Sequence, residues 1–338
     1  MSSLKEEKLR DILLIGGAGY IGSVVAKYFL DCGDRVIVID NLIYNNTDGV
    51  APLFGQKNYT FVNADIRNQD VIKNLVHEGS HVVILAGLVG DPITKKYAEI
   101  SKEINFHGIK YVLEQCDSAN VEQVIFVSTC SNYGLMAEDQ LADEKSELNP
   151  LSRYAEDKVA IENHLIKRAN YFSFVPTILR FSTAFGWSPR MRLDLTVNEF
   201  VYEACYGKSF EVYDPDTWRP YCHVEDFARA IDYVFSTDTT KVNGEVFNVG
   251  CDENNFTKRG LVELIGSKIS QMNFTFREKG SDPRNYKVDF SKIRTTIGFK
   301  PIYTVEAGVN QILEAYEIGL LGAVENNRFH YGNYKIET

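Results

Sequence analysis

The chain has 338 residues, 44% of them apolar and 24% charged, enough to bury a large core as one α/β unit or two lobes. A formal net charge of -10 would repel a phosphate backbone and argues against nucleic acid as a partner. No run reaches the ~18 apolar residues that spanning a membrane needs, and the charged start MSSLKEEKLR lacks a secretory signal, so a cytoplasmic protein is expected.

The six cysteines are scattered without a CxxC pair, which suggests neither a disulfide framework nor a zinc site. His77 and His81 have an i, i+4 spacing, but Gly79 lies between them and no HExxH pattern accompanies them, so a helix end running into a strand is expected there and no metal.

From residue 11 onward, apolar β-type runs alternate with helical patterns. In chain order they are DILLI, a helix over 20–32, DRVIVID, TFVNAD, a helix over 67–76, HVVILAG, a helix over 96–116, EQVIFVS, a helix over 152–170, and FVPTILRF. Unbroken apolar strands separated by helices predict a Rossmann-type doubly wound parallel sheet covered on both faces, over residues 1–182. After Gly186 the pattern loosens into helices over 193–206, 224–236, 257–268 and 304–318 mixed with short strands. Residues 183–322 read as a smaller substrate-binding lobe, some of whose elements return to the core. Residues 323–338, rich in Asn, Tyr and Gly, read as a loosely packed tail.

Directly after the first strand comes GGAGYIG, with Gly16, Gly17, Gly19 and Gly22 opening a helix. Glycines there allow a tight turn and close backbone approach, and the helix N-terminus faces a pyrophosphate. Tyr20 and Ile21 sit within the same turn. Asp40 ends the second strand, 18 residues beyond Gly22, where a carboxylate can accept hydrogen bonds from ribose hydroxyls. Asn41 and Leu42 follow without an Arg for a 2'-phosphate, which favours NAD over NADP. Asp65 and Ile66 at the third strand would border the adenine, and Ala86 and Gly87 end the fourth strand with small side chains beside the cofactor.

Tyr154 and Lys158 form a YxxxK on a helical segment, one turn apart on one face. A tyrosine of pKa ~10 is a poor base at neutral pH unless a nearby ammonium stabilises its phenolate, and Lys158 can supply that charge. Thr129, in VSTCSNYG at the end of the fifth strand, can orient a substrate hydroxyl. Tyr331 and Lys335 repeat the YxxxK spacing in the tail, where no strand or nucleotide turn accompanies them, and read as accidental.

The combination of GGAGYIG, Asp40, STCSNYG and YAEDK closely resembles the extended short-chain dehydrogenase/reductase family, in particular its nucleotide-sugar epimerases and dehydratases. The resemblance spans nearly the whole chain. It implies bound NAD, a nucleoside-diphosphate sugar in the C-terminal lobe, and a homodimer built from paired helices. Carried over by position, Tyr154 is the base, Lys158 its partner, Thr129 the hydroxyl residue and Asn105 a cofactor-side contact. Arg219 in TWRPYCHVEDFARA resembles the family's diphosphate-gripping arginine; Arg284 is a second candidate, and Lys279 holds the more distant position where that second arginine often lies. Arg190, Arg192 and Asn198 in WSPRMRLDLTVNEF lie around the implied substrate entrance.

The chain also departs from the pattern. Thr183 stands where the family usually has Asn, and Ile84 replaces a common His. LVGDP, SPRMRLDL and RNYKVDF resemble a subgroup that acts on sugars such as heptoses.

The implied chemistry begins with oxidation at C4 of the sugar. A 4,6-dehydratase would then need a Glu, with a polar neighbour, just after the catalytic Thr. Here those places hold Cys130 and Ser131, a thiol of ordinary pKa ~8.5 and a hydroxyl too weak to remove a C5 proton. A 4-epimerase or a 4-dehydrogenase in nucleotide-sugar or surface-polysaccharide biosynthesis is therefore favoured. A dehydratase and a non-catalytic NAD-binding regulator are the alternatives.

Overall fold

In the computed structural model the described residues are 9–137, 140–280, 282, 284–321 and 331–336. Seven strands form one parallel sheet: β1 (Asp11–Ile15), β2 (Arg35–Asp40), β3 (Tyr59–Asn63), β4 (His81–Ile84), β5 (Gln123–Thr129), β6 (Val175–Phe181) and β7 (Glu245–Val249). Their spatial order is β7-β6-β5-β4-β1-β2-β3, and every pairing is parallel. The chain winds outward from β1 in one direction and then from β4 in the other. The crevice between their C-terminal ends is the switch point at which such sheets bind ligands.

β-branched and other apolar side chains point to both faces of the central strands, so β4 is buried throughout and β5 up to its last residue. Helices therefore cover both sides, and two buried clusters form, one on each face. α1 (Tyr20–Asp31) follows β1 through the glycine turn, burying Val25, Ala26 and Phe29. α2 (Arg153–Arg168) starts at Ser152, whose hydroxyl caps it by accepting from the Ala155 N–H at 3.3 Å; Glu156 in its first turn and Lys167 and Arg168 in its last suit the helix dipole.

The single helix read over 96–116 is instead broken. Short helices at Asp91–Lys96 and Ala98–Lys102 lead into a π-helical turn at Glu103–Gly108 before Ile109–Ser118. The π turn carries Asn105, whose amide bonds both backbone groups of Leu88, at 2.8 Å and 3.0 Å. The break falls at Tyr97, with φ -117 and ψ 52.

The C-terminal lobe adds a three-stranded sheet in which Trp218–His223 lies between Thr183–Phe185 and Asn255–Thr257. A parallel pair, Leu141–Ala142 with Lys287–Val288, and a bridge from Leu135 to Asn285 draw residues 284–288 towards the turn that follows β5. The outermost strand β7 comes from beyond residue 182, so the lobe and the sheet are interleaved in sequence.

Of the tail read over 323–338, residues 331–336 are described, and these pack on the rest of the chain, with Ile336 only 2% exposed; residues 323–330, 337 and 338 lie outside the described residues.

Candidate active site

One cavity of about 660 Å³ runs along the C-terminal ends of the strands, from the glycine turn past Tyr154 to Arg219 and Arg284. Gly16 has φ +85, and a Cβ there would lie 2.5 Å from the Ala86 backbone nitrogen. A Cβ on Gly22 would lie 2.6 Å from Gly17, so glycine at both places lets β1, β4 and the start of α1 close together. The cradle fits a dinucleotide, with small or apolar residues Gly19, Ile21, Ile66, Ala86 and Gly87 along its wall and the α1 N-terminus at its floor. Asp40 also lines it, and its carboxylate accepts from the N–H groups of Ala18 at 3.1 Å and Leu42 at 2.9 Å. Burial raises the pKa of Asp40 even so.

At the centre of the cavity stand Thr129, Ser131, Tyr154 and Lys158. Lys158 is 2% exposed, and its Nζ donates to the Val127 carbonyl at 2.7 Å and lies 5.8 Å from the Tyr154 ring centre. Burial pulls its pKa down to about 8, with Glu162 and Asp157 opposing that shift. The Thr129 hydroxyl oxygen accepts from the Ser131 N–H at 3.1 Å, which leaves its proton to donate into the cavity.

The residues after Thr129 alternate between cavity and core. Cys130 is turned inward, 1% exposed, with its thiol donating to the Arg180 carbonyl at 3.2 Å. Burial raises the pKa of that thiol, and Cys130, unlike Thr129 and Ser131 on either side, does not line the cavity, so it is not placed to act as the acid or base that the sequence left open. Ser131 faces the cavity.

Beneath the turn lies a buried network: Glu162 takes the Arg180 guanidinium at 2.6 Å, the Asn132 amide at 2.9 Å and the Ser128 hydroxyl. Tyr133 links Arg180 to Asn248, at 3.0 Å and 2.7 Å. Every polar side chain of VSTCSNYG is thus held from below or faces the cavity.

The far end is cationic. Arg219, Lys258 and Arg284 gather around a single carboxylate, Asp282, which bonds Arg219 at 3.0 Å and Arg284 at 2.7 Å. Burial would raise the pKa of Asp282, but Arg284 and Arg219 hold it well below the usual range. These four groups leave two positive charges, which suits a diphosphate. Arg284 also donates to Ser131 Oγ at 3.3 Å and so joins the cationic end to the centre.

Lys258 was missed in the sequence. It follows Thr257, which pairs with Trp218, and opens the helix Lys258–Gly266 next to the Arg219 strand, so that both residues line the cavity. Lys279 is exposed and does not line the cavity.

A family model described as the NAD dependent epimerase/dehydratase family matches residues 12–250. The chain belongs to that family. It is 27% identical over 312 residues to a low-salt glycan biosynthesis protein, Agl12, of Haloferax volcanii, covering 90% of this chain and 98% of the relative. It is 26% identical over 323 residues to a UDP-glucose 4-epimerase of Halalkalibacterium halodurans, covering 86% and 91%. Among solved structures, a dTDP-glucose 4,6-dehydratase of Bacillus anthracis in complex with NAD superposes with a TM-score of 0.80 at 25% identity, covering 93% of this chain and 98% of that one. NAD is the family's cofactor.

Within this family frame several sequence readings change. Asn105 is wholly buried and does not reach the cavity; it holds the backbone of Leu88, next to Gly87. Asp65 is turned to Arg67 and Asn41, at 2.8 Å and 2.7 Å, while its neighbours Ala64 and Ile66 line the cavity.

Asn198 is also wholly buried. It accepts from the Gly186 N–H and donates to Tyr20 and to the Arg192 carbonyl, so it braces the lobe against the glycine turn. Arg190 and Arg192 do line the cavity, but at the end with Asp40 and Tyr44. The Arg190 guanidinium lies 5.8 Å from the Tyr44 ring, and Arg192 pairs with Asp194 at 2.6 Å. They border the nucleotide cradle and not the cationic end. Burial, with Arg192 nearby, lowers the pKa of Arg190 to about 10. Thr183 lines the cavity from its short strand.

Proposed function

We propose that the protein oxidises C4 of a nucleoside-diphosphate sugar and acts through a 4-keto sugar, as a 4-epimerase or 4-dehydrogenase. The observation that carries this reading is that Tyr154, Lys158 and Thr129 share one cavity with the glycine cradle on one side and Arg219, Lys258 and Arg284 on the other. When bound, NAD supplies the hydride acceptor.

The chain's own groups do the rest. Tyr154 takes the O4 proton, and the Lys158 ammonium, held by the Val127 carbonyl, steadies the phenolate. Thr129 donates to the sugar oxygen and fixes its angle. The cationic end holds the diphosphate, which positions C4 over the tyrosine.

Cys130 weighs against a 4,6-dehydratase, since its thiol is sealed in the core and the neighbouring Ser131 is too weak an acid or base. The glycan-biosynthesis name of the Haloferax relative supports a place in building surface polysaccharide. The reading includes a homodimer, and a cytoplasmic site where charged nucleotide sugars are kept; light scattering and cell fractionation test these.

The decisive experiment incubates the purified protein with UDP-, GDP-, CDP- and dTDP-sugars, heptose forms included, and follows 340 nm absorbance and product NMR. Inverted C4 without net NADH identifies an epimerase, and accumulating NADH with a 4-keto sugar identifies a dehydrogenase. A product that has lost its C6 oxygen overturns the reading.

A further inference from the structure

Tyr331–Ile336 crosses the mouth of the nucleotide cradle. At one end, the Tyr331 carbonyl accepts from the Leu193 N–H at 2.6 Å, and the Gly332 carbonyl accepts from Arg190 at 3.5 Å. The Asn333 N–H donates to Asp194 Oδ2 at 3.5 Å, and Asp194 is itself locked by Arg192. At the other end, Ile336 is 2% exposed and belongs to the buried cluster that contains Ile15, Ile39 and Ile66, the side chains beneath the cradle. Between these anchors, Asn333 and Tyr334 line the cavity together with Asp40 and Tyr44.

A six-residue span that is pinned to the C-terminal lobe at its start and to the core of the sheet at its finish straddles the groove where Asp40 awaits the adenosine ribose.

We propose that Tyr331–Ile336 is a clasp over the adenosine end of the cofactor site, with Asn333 and Tyr334 as additional cofactor-binding residues, so that NAD stays bound through many turnovers. The proposal rests on the family's use of NAD and is independent of which sugar reacts. Release of the dinucleotide requires the span to lift, which means breaking the Leu193 and Asp194 contacts or drawing Ile336 out of the core. Exchange of NAD is then slow, while the sugar enters and leaves from the opposite, cationic end.

The test loads the full chain with radiolabelled NAD and chases it with excess unlabelled NAD in the absence of any sugar. Removal of residues 331–338 should speed loss of label by about tenfold or more, with UDP binding at the cationic end unchanged. Because the shortened chain could fail to fold, the double variant Asn333→Ala/Tyr334→Ala, which keeps both anchors, is measured in parallel and should also release label faster. Equal release from the parent and from a variant that melts normally overturns the clasp alone. A parent that neither carries NAD as purified nor takes up label overturns the cofactor assignment and the clasp with it.

Discussion

Lys158 shows how one buried charge sets a pH range. Its depressed pKa means that the ammonium is present below about pH 8 and disappears as pH rises through that value. Turnover should therefore decline on the alkaline side with an apparent midpoint near 8, measured as kcat/KM against pH. Lys158→Met should be slow throughout and lack that limb. Tyr154→Phe removes the proton acceptor without changing the shape of the side chain's ring. It should lower kcat by about 10² to 10⁴-fold while bound NAD and melting temperature stay as in the parent, and a variant of parental activity would contradict the assignment. The sequence showed the Tyr154/Lys158 spacing plainly, because i, i+4 on a helix is a local relation. It was ambiguous about Cys130, because whether a side chain after β5 faces cavity or core depends on a turn that Glu162 and Arg180 hold from two other elements.

At the scale of elements, α2 and β6 meet through that ion pair. Glu162 and Arg180 have side chains 1% and 4% exposed, and both support the turn Cys130–Tyr133. Glu162→Ala leaves the guanidinium buried without its carboxylate, so the expected loss is about 3 to 5 kcal/mol of stability, read by urea unfolding. Activity should fall beyond what unfolding explains, since Thr129 leads into the turn. The strand and helix succession was legible because unbroken β-branched runs and 3.6-residue patterns are properties of short segments. The break between residues 96 and 109 was not, because Asn105 has to find the backbone of Leu88 before a π turn is worth forming.

For the whole molecule, the site exists because two distant stretches of chain are folded onto the same edge of the sheet. The 284–288 segment is brought to Ser131 by a pairing with Leu141–Ala142 that spans more than a hundred residues, and the Arg219 strand, paired with Thr183–Phe185, meets it through Asp282. Arg219→Ala should weaken nucleotide-sugar binding by about 1.5 to 3 kcal/mol, roughly a 10- to 150-fold rise in KM, with kcat changed much less. The measurement is KM for the sugar nucleotide, and an unchanged KM would remove Arg219 from the diphosphate site.

The sequence by itself determined the parallel doubly wound sheet, the glycine cradle with Asp40, and the Tyr154/Lys158 pair. Each is written in consecutive residues or in a helix turn, where local sterics and hydrogen bonding decide the outcome. Tertiary structure alone decided that Cys130 is sealed away, that Arg190 and Arg192 line the cavity at the end with Asp40 and Tyr44, that Lys258 joins Arg219, and that Asn333 and Tyr334 line the glycine cradle's cavity. Those outcomes turn on burial and on partners far away along the chain, and no spacing rule reports which side of a loop will be covered once the lobe has packed.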